Sequence, residues 1–121
     1  MPKKVVSTSK TPVVPGAPYS PAVKIGQFLF ISGQIPDDAE ADIKTQTRQV
    51  LEKIKALAEA AGSSMDNVVK TTVFLTNLDD YGSMNEVYGG FFKEPPARAC
   101  VEVSGLVLGI LVEIEAIAFI P

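Results

Sequence analysis

Only two stretches of this sequence carry the period of an amphipathic helix, and both sit among runs of β-branched and aromatic residues. In residues 42–61 an apolar stripe recurs at helical spacing through Ile43, Val50, Leu51, Ile54 and Leu57. Asp42 suits the N-cap, and Gly62 stands where a left-handed C′ residue is wanted. Lys44, Arg48, Glu52, Lys55 and Glu59 make up the opposite, solvated face. A second helix is expected from Asp79 or Asp80, as its cap, to about Phe92, with Tyr81, Met84, Tyr88 and Phe91 at helical period. Gly89-Gly90 weakens its last turns and Pro95-Pro96 stops it.

The remaining apolar runs read as strands: Val5-Val6 at an edge, Val23–Ile25, Phe28–Ser32, Val68–Leu75, Ala99–Val103 and Leu111–Ile120. Gly26-Gln27 between the second and third suggests a two-residue type II′ hairpin turn. The order is therefore β-β-β-α-β-α-β-β, of the α/β class: an α+β two-layer sandwich with a mixed sheet and both helices on one face. All 121 residues are expected to form one domain. Two helices cover one face only, yet Phe28–Ile31 is apolar on both sides, and Ala116 and Ala118 alternate with Ile117 and Phe119. Soluble monomers avoid large exposed apolar patches, so the second face is expected to be buried against other copies of the chain.

Composition narrows the chemistry. There is no histidine, which excludes Ser-His-Asp and Cys-His catalysis and every His-ligated metal site. Cys100 is the only cysteine, so no disulfide forms within the chain. The net charge of -3 and the lack of clustered cations argue against nucleic-acid and anionic-membrane partners. No apolar run reaches membrane-spanning length, and the N-terminal apolar run is too short for a signal peptide. A cytoplasmic protein is expected.

Chemistry must then run on other side chains. Arg98, where a loop enters a strand, can take a carboxylate through its planar fork; a surface ion pair is the plainer reading of the same residue. Glu113 and Glu115 share a strand face with Ile117 and Phe119, where burial would raise a carboxyl pKa, although a strand end facing water explains them equally well. Cys100 without a histidine is better read as packing than as a nucleophile. Tyr19 in a Pro-bounded loop, the Ser32 hydroxyl, Gly33 and Asn85 on the polar side of the second helix each have a structural reading beside a ligand-binding one. No phosphate-binding glycine motif is present.

In combination these segments resemble the RidA (YjgF-like) family of enamine/imine deaminases. The resemblance is carried by Gly16-Ala17-Pro18-Tyr19-Ser20, Phe30-Ile31-Ser32-Gly33-Gln34-Ile35-Pro36, Val68-Val69-Lys70-Thr71-Thr72-Val73-Phe74-Leu75 and Met84-Asn85-Glu86-Val87-Tyr88. Pro96-Ala97-Arg98-Ala99-Cys100 and Val112-Glu113-Ile114-Glu115-Ala116-Ile117 are its most specific parts. It implies a chorismate-mutase-like fold and a homotrimer with clefts between subunits. It also implies cofactor- and metal-free hydrolysis of 2-aminoacrylate, 2-iminopropanoate and 2-iminobutanoate to 2-keto acids and ammonia. Carried over by residue, Arg98 binds the substrate carboxylate and Glu113 polarises the attacking water. Tyr19, Ser32, Gly33 and Cys100 line the cleft and Asn85 supports it. That arrangement requires Arg98 and Glu113 to lie on the same side of the sheet. The apolar Ser104–Ile110 segment departs from the family's usual basic, Pro-Lys-containing turn, the loop after Pro36 is shorter than usual, and Pro21 stands where a polar residue is common. A keto-acid-binding or chaperone-like trimer without turnover is the alternative, and RNA cleavage a more distant one.

Overall fold

The computed structural model describes residues 2–121. Its elements follow the expected order: β1 (Lys4–Val6), β2 (Ala22–Ile25), β3 (Phe28–Gln34), α1 (Ile43–Ala60), β4 (Val68–Leu75), α2 (Tyr81–Gly89), β5 (Ala97–Glu102) and β6 (Val112–Phe119). The six strands form one sheet in the order β1-β2-β3-β6-β4-β5. All neighbours are antiparallel except β4 and β5, which run parallel and are joined through α2. The mixed sheet with two helices is the α+β sandwich expected from the sequence. Strand bounds differ from the expected ones by up to two residues, as element ends commonly do.

Local chemistry explains the connections. Gly26 adopts φ 57° while Gln27 does not enter positive φ, which fits a type II′ turn and sets Ile25 opposite Phe28. Asp42 caps α1 by accepting from the Thr45 amide at 2.8 Å, and Gly62 follows the helix at φ 85°. The second helix corrects the expectation at both ends. Asp80 makes no side-chain capping bond. Asn77 caps instead, accepting from the Asp79 amide at 2.9 Å and starting a 3₁₀ turn, Leu78–Asp80, that leads into α2. The helix stops at Gly89, ahead of the prolines, because two adjacent glycines lose more backbone entropy than the last turn returns.

The core lies between the helices and one sheet face. Leu51, Ile54 and Leu57 of α1 and Met84 of α2 pack onto Leu29, Val73, Leu75, Ile114 and Ala118, all fully buried. Full burial of one such aliphatic side chain contributes about 1.5–3 kcal/mol. Gln46 is also fully buried and satisfied: its side-chain amide donates to Ala41 O at 2.9 Å and accepts from Leu111 N at 2.8 Å, tying α1 to the start of β6.

The other sheet face has no cover among the described residues. The strand registers align Val5, Val23, Phe30, Ile117, Lys70 and Ala97 in one row across all six strands. Phe28 and Phe119 form a second row, meeting edge to face at 6.3 Å between ring centroids. Phe28 is 48% exposed and Phe30 45%. No helix of the described residues is long and apolar enough to cross a membrane.

Candidate active site

Two clusters of sequence-predicted residues emerge, on opposite faces of the sheet. The first surrounds a β-bulge. Ile31 pairs with Ala116 and Gln34 with Ile114, so Ser32 and Gly33 together oppose the single residue Glu115. The bulge is held by Ser32, whose amide donates to Pro21 O at 3.0 Å and whose hydroxyl donates to Ser20 O at 2.6 Å. Those bonds anchor the Pro-bounded loop, so Pro21 participates in placing its neighbour Tyr19. The Tyr19 ring is exposed and lines a cavity of about 170 Å³ together with Gly33 and Lys53.

Glu113 reaches this bulge from β6. A Cβ on Gly33 would collide with Glu113 Oε2 and lie 2.9 Å from its Cδ, so the missing side chain is what lets the carboxyl rest on the backbone. Glu113 is half-buried and forms no ion pair among the described residues. Burial, and after it the nearby Glu115 carboxylate, push its carboxyl above the ordinary range. Glu115 is exposed and shares a cavity with Ser32, while the carboxyl that lies against the Gly33 backbone is that of Glu113.

The second cluster sits where β5 meets α2. Arg98 Nη1 donates to Asn85 Oδ1 at 2.7 Å, and Nη2 donates to the Tyr81 hydroxyl at 3.1 Å. The guanidinium carbon lies 4.8 Å from the centre of the Tyr88 ring and 5.5 Å from that of Tyr81, within cation–π range. Tyr88 is itself fixed by a 2.7 Å bond between its hydroxyl and Thr71 Oγ1. Among the described residues Arg98 pairs with no carboxylate, which removes the surface ion-pair reading. Asn85 thus ties α2 to a strand arginine. Cys100, two residues on, is half-buried; burial pushes its thiol up and Arg98 draws it partly back, leaving a protonated thiol with no activating base. Tyr81 and Tyr88 are contacts that sequence reasoning missed. Their 81/84/88 spacing read as an apolar stripe, and the signal lay in the phenol groups it carried beside Asn85.

The requirement that Arg98 and Glu113 share a face is not met. Arg98 is in register with Thr71, which is buried toward the helices, whereas Glu113 is in register with Phe74, three residues along β4 and on the open face. Two strand spacings and three residues of rise put the two Cα atoms about 14 Å apart, with side chains pointing away from each other. One protomer cannot bring them together. A site using both needs Arg98 from one chain and Glu113 from another.

The fold and both clusters define a class, the small α+β Rid-type proteins, and comparison with known proteins agrees. The family model described as Endoribonuclease L-PSP matches residues 9–120, and the chain belongs to that family, the RidA (YjgF-like) proteins. A RutC family protein of Pyrococcus horikoshii is 53% identical over 124 residues, covering 97% of this chain and 98% of the relative. Escherichia coli TdcF, whose name provisionally makes it a reactive intermediate deaminase, is 42% identical, with 96% of each chain covered. Its crystal structure with bound serine superposes with a TM-score of 0.90 at 40% identity, covering 98% of this chain and 99% of that one. A Yersinia pestis protein of the Rid family, of unknown function, superposes with a TM-score of 0.92 at 45% identity, covering 98% and 100%.

Proposed function

We propose that this protein is a cofactor-independent hydrolase that deaminates small enamine and imine acids, such as 2-iminopropanoate and 2-iminobutanoate, to 2-keto acids and ammonia. The observation that carries this reading is a pair of unneutralised, chemically complementary groups. Among the described residues, a guanidinium is fixed by Asn85, Tyr81 and Tyr88 with no acid partner, and a desolvated carboxyl rests on Gly33 with no base partner. The uncovered apolar face next to Glu113 supports a homotrimer in which one chain's Arg98 cluster closes over the next chain's bulge. The naming of TdcF and its structure with serine support a small amino-acid-derived ligand.

In that cleft Arg98 takes the substrate carboxylate and turns the imine carbon toward Glu113. Water held by Glu113 adds its oxygen to that carbon while its proton passes to the carboxylate and the C=N electron pair moves to nitrogen. The proton then returns to nitrogen to give the carbinolamine; Glu113 next takes the hydroxyl proton and passes it to nitrogen as the C–N bond breaks, so that ammonia leaves and the C=O bond forms. An enamine enters the same route after tautomerising to the imine. A positioned general base supplies roughly 10²–10⁴-fold, enough for a bond that water already cleaves. Tyr19 and Ser32 line the wall, and Cys100 contributes surface more than thiol chemistry.

The test is release of 2-keto acid from an imine generated in situ by an amino-acid dehydratase. Wild type should accelerate it, and Arg98→Ala should abolish the acceleration while leaving assembly intact. Keto-acid binding by calorimetry without acceleration would replace this reading with a non-catalytic sensor.

A further inference from the structure

We infer that Tyr81 is part of the carboxylate receptor, its hydroxyl donating to the ligand carboxylate beside the Arg98 guanidinium. This rests on the reading of Arg98 as the carboxylate-binding group. It adds a residue that neither the family resemblance nor the comparisons assign.

The argument is one of hydrogen-bond valence. A guanidinium carries five N–H donors. Helix α2 uses both from Nη1, on Asn85 Oδ1 at 2.7 Å and Met84 Sδ at 3.9 Å, and one from Nη2, on the Tyr81 hydroxyl oxygen at 3.1 Å. The two remaining donors, on Nε and Nη2, have no partner among the described residues and can meet an anion. In the Arg98 bond Tyr81 is the acceptor, because arginine has nothing to accept with. The phenolic proton is therefore uncommitted, and it sits on an oxygen already polarised by a cation, which strengthens it as a donor. Tyr81 is 44% exposed, so its hydroxyl is free to turn that proton toward an arriving ligand.

Tyr88 provides the internal contrast. Its ring also stacks on Arg98, but it is only 5% exposed and its hydroxyl is engaged with Thr71 Oγ1 at 2.7 Å. One tyrosine thus supports the guanidinium from within the core, and the other extends its donor set at the surface. The ligand class that fits an O–H beside several N–H groups is a planar monocarboxylate such as a 2-keto or 2-imino acid.

Tyr81→Phe is the direct probe, because it keeps the ring, the stacking and the helix start. Calorimetry with 2-oxobutanoate should show about tenfold weaker binding in Tyr81→Phe, the effect of one hydrogen bond to a charged group. KM for the imino acid should rise by the same factor with kcat little changed, and binding of the uncharged 2-oxobutanamide should not respond. A direct contact also has a spectroscopic signature. With ¹³Cζ-labelled tyrosine the chain gives three signals, and the one lost in Tyr81→Phe should move on titration with 2-oxobutanoate. Unchanged affinity in Tyr81→Phe, or a stationary Tyr81 signal while binding occurs, overturns the inference and leaves the proposed deaminase standing. Wild type that binds no 2-keto acid at all removes both.

Discussion

Consider two inactivated chains, Arg98→Ala and Glu113→Gln, mixed one to one under denaturing conditions and refolded together. Within one protomer the two residues are about 14 Å apart between Cα atoms and point to opposite faces of the sheet. No side-chain rotation brings them together without dismantling the register of β4 with β5 and β6. If the working cleft takes its guanidinium from one chain and its carboxyl from the next, an Arg98→Ala chain still supplies a good Glu113, and a Glu113→Gln chain still supplies a good Arg98. Under random mixing each cleft draws an intact Arg98 half the time and an intact Glu113 half the time. About a quarter of the clefts in a closed ring are then complete.

Each variant refolded alone should retain only the residue left after loss of a general base or of substrate positioning, roughly 10⁻² or less of wild type. Recovery to about a quarter therefore stands at least an order of magnitude above either baseline. The measurement is keto-acid release per mole of chain against wild type refolded in parallel, with mixed assembly verified by native mass spectrometry of chains of different mass. Mixed assemblies that stay at the single-variant baseline would refute the two-chain site and the mechanism that depends on it.

Gly33→Ala should fold, because the colliding atoms are the far end of the Glu113 side chain; the alanine displaces that carboxyl by roughly 1 Å, for a loss on the order of 10²-fold in kcat/KM with little change in Tm, read by turnover and thermal unfolding. Glu113→Gln should leave stability unchanged in acid and raise it at neutral pH. Burial and Glu115 hold the folded-state carboxyl above its ordinary 4.5, so its contribution is complete below that value and lost as pH rises through the raised one; equal urea midpoints at pH 7 would contradict this. Leu108 occupies the left-handed region at φ 58°, on an exposed 3₁₀ turn, and Leu108→Asn should stabilise the fold by about 1 kcal/mol in urea denaturation by relieving that backbone strain.

The elements were legible in the sequence because their signals are local. Helical period, β-branched runs, Asp42 and Gly26 each act within a few residues of themselves. Even the uncovered face could be read, since alternation along β3 and β6 is a property of each strand alone. The site was legible only as a set of residues. Whether Arg98 faces the helices or the open side depends on the parity of its parallel register with Thr71, and nothing within β5 encodes that, because Ala97, Ala99 and Cys100 suit either face. The bulge at Ser32-Gly33 is likewise a property of pairing with β6, distant in sequence, and without it the approach of Glu113 to Gly33 has no visible cause.

These two hidden features depend on each other. The bulge lets a carboxyl lie against bare backbone at the edge of an apolar surface, where it is already short of water in the isolated chain. Covering Phe30 and Ile117 with a second copy removes more water from the same neighbourhood and favours the protonated carboxyl further. Alone, that step raises the carboxylate's affinity for a proton, as a general base needs, while lowering the fraction that is ionised. The proposed neighbouring chain brings more than apolar area, however, because the cover arrives carrying Arg98. A guanidinium and its bound anionic substrate add a nearly neutral pair, so the net shift on Glu113 is set by burial and by the distance to the cation. A site divided between chains is therefore incomplete until the neighbour brings the acid-binding group, because on this sheet one chain places Arg98 and Glu113 on opposite faces.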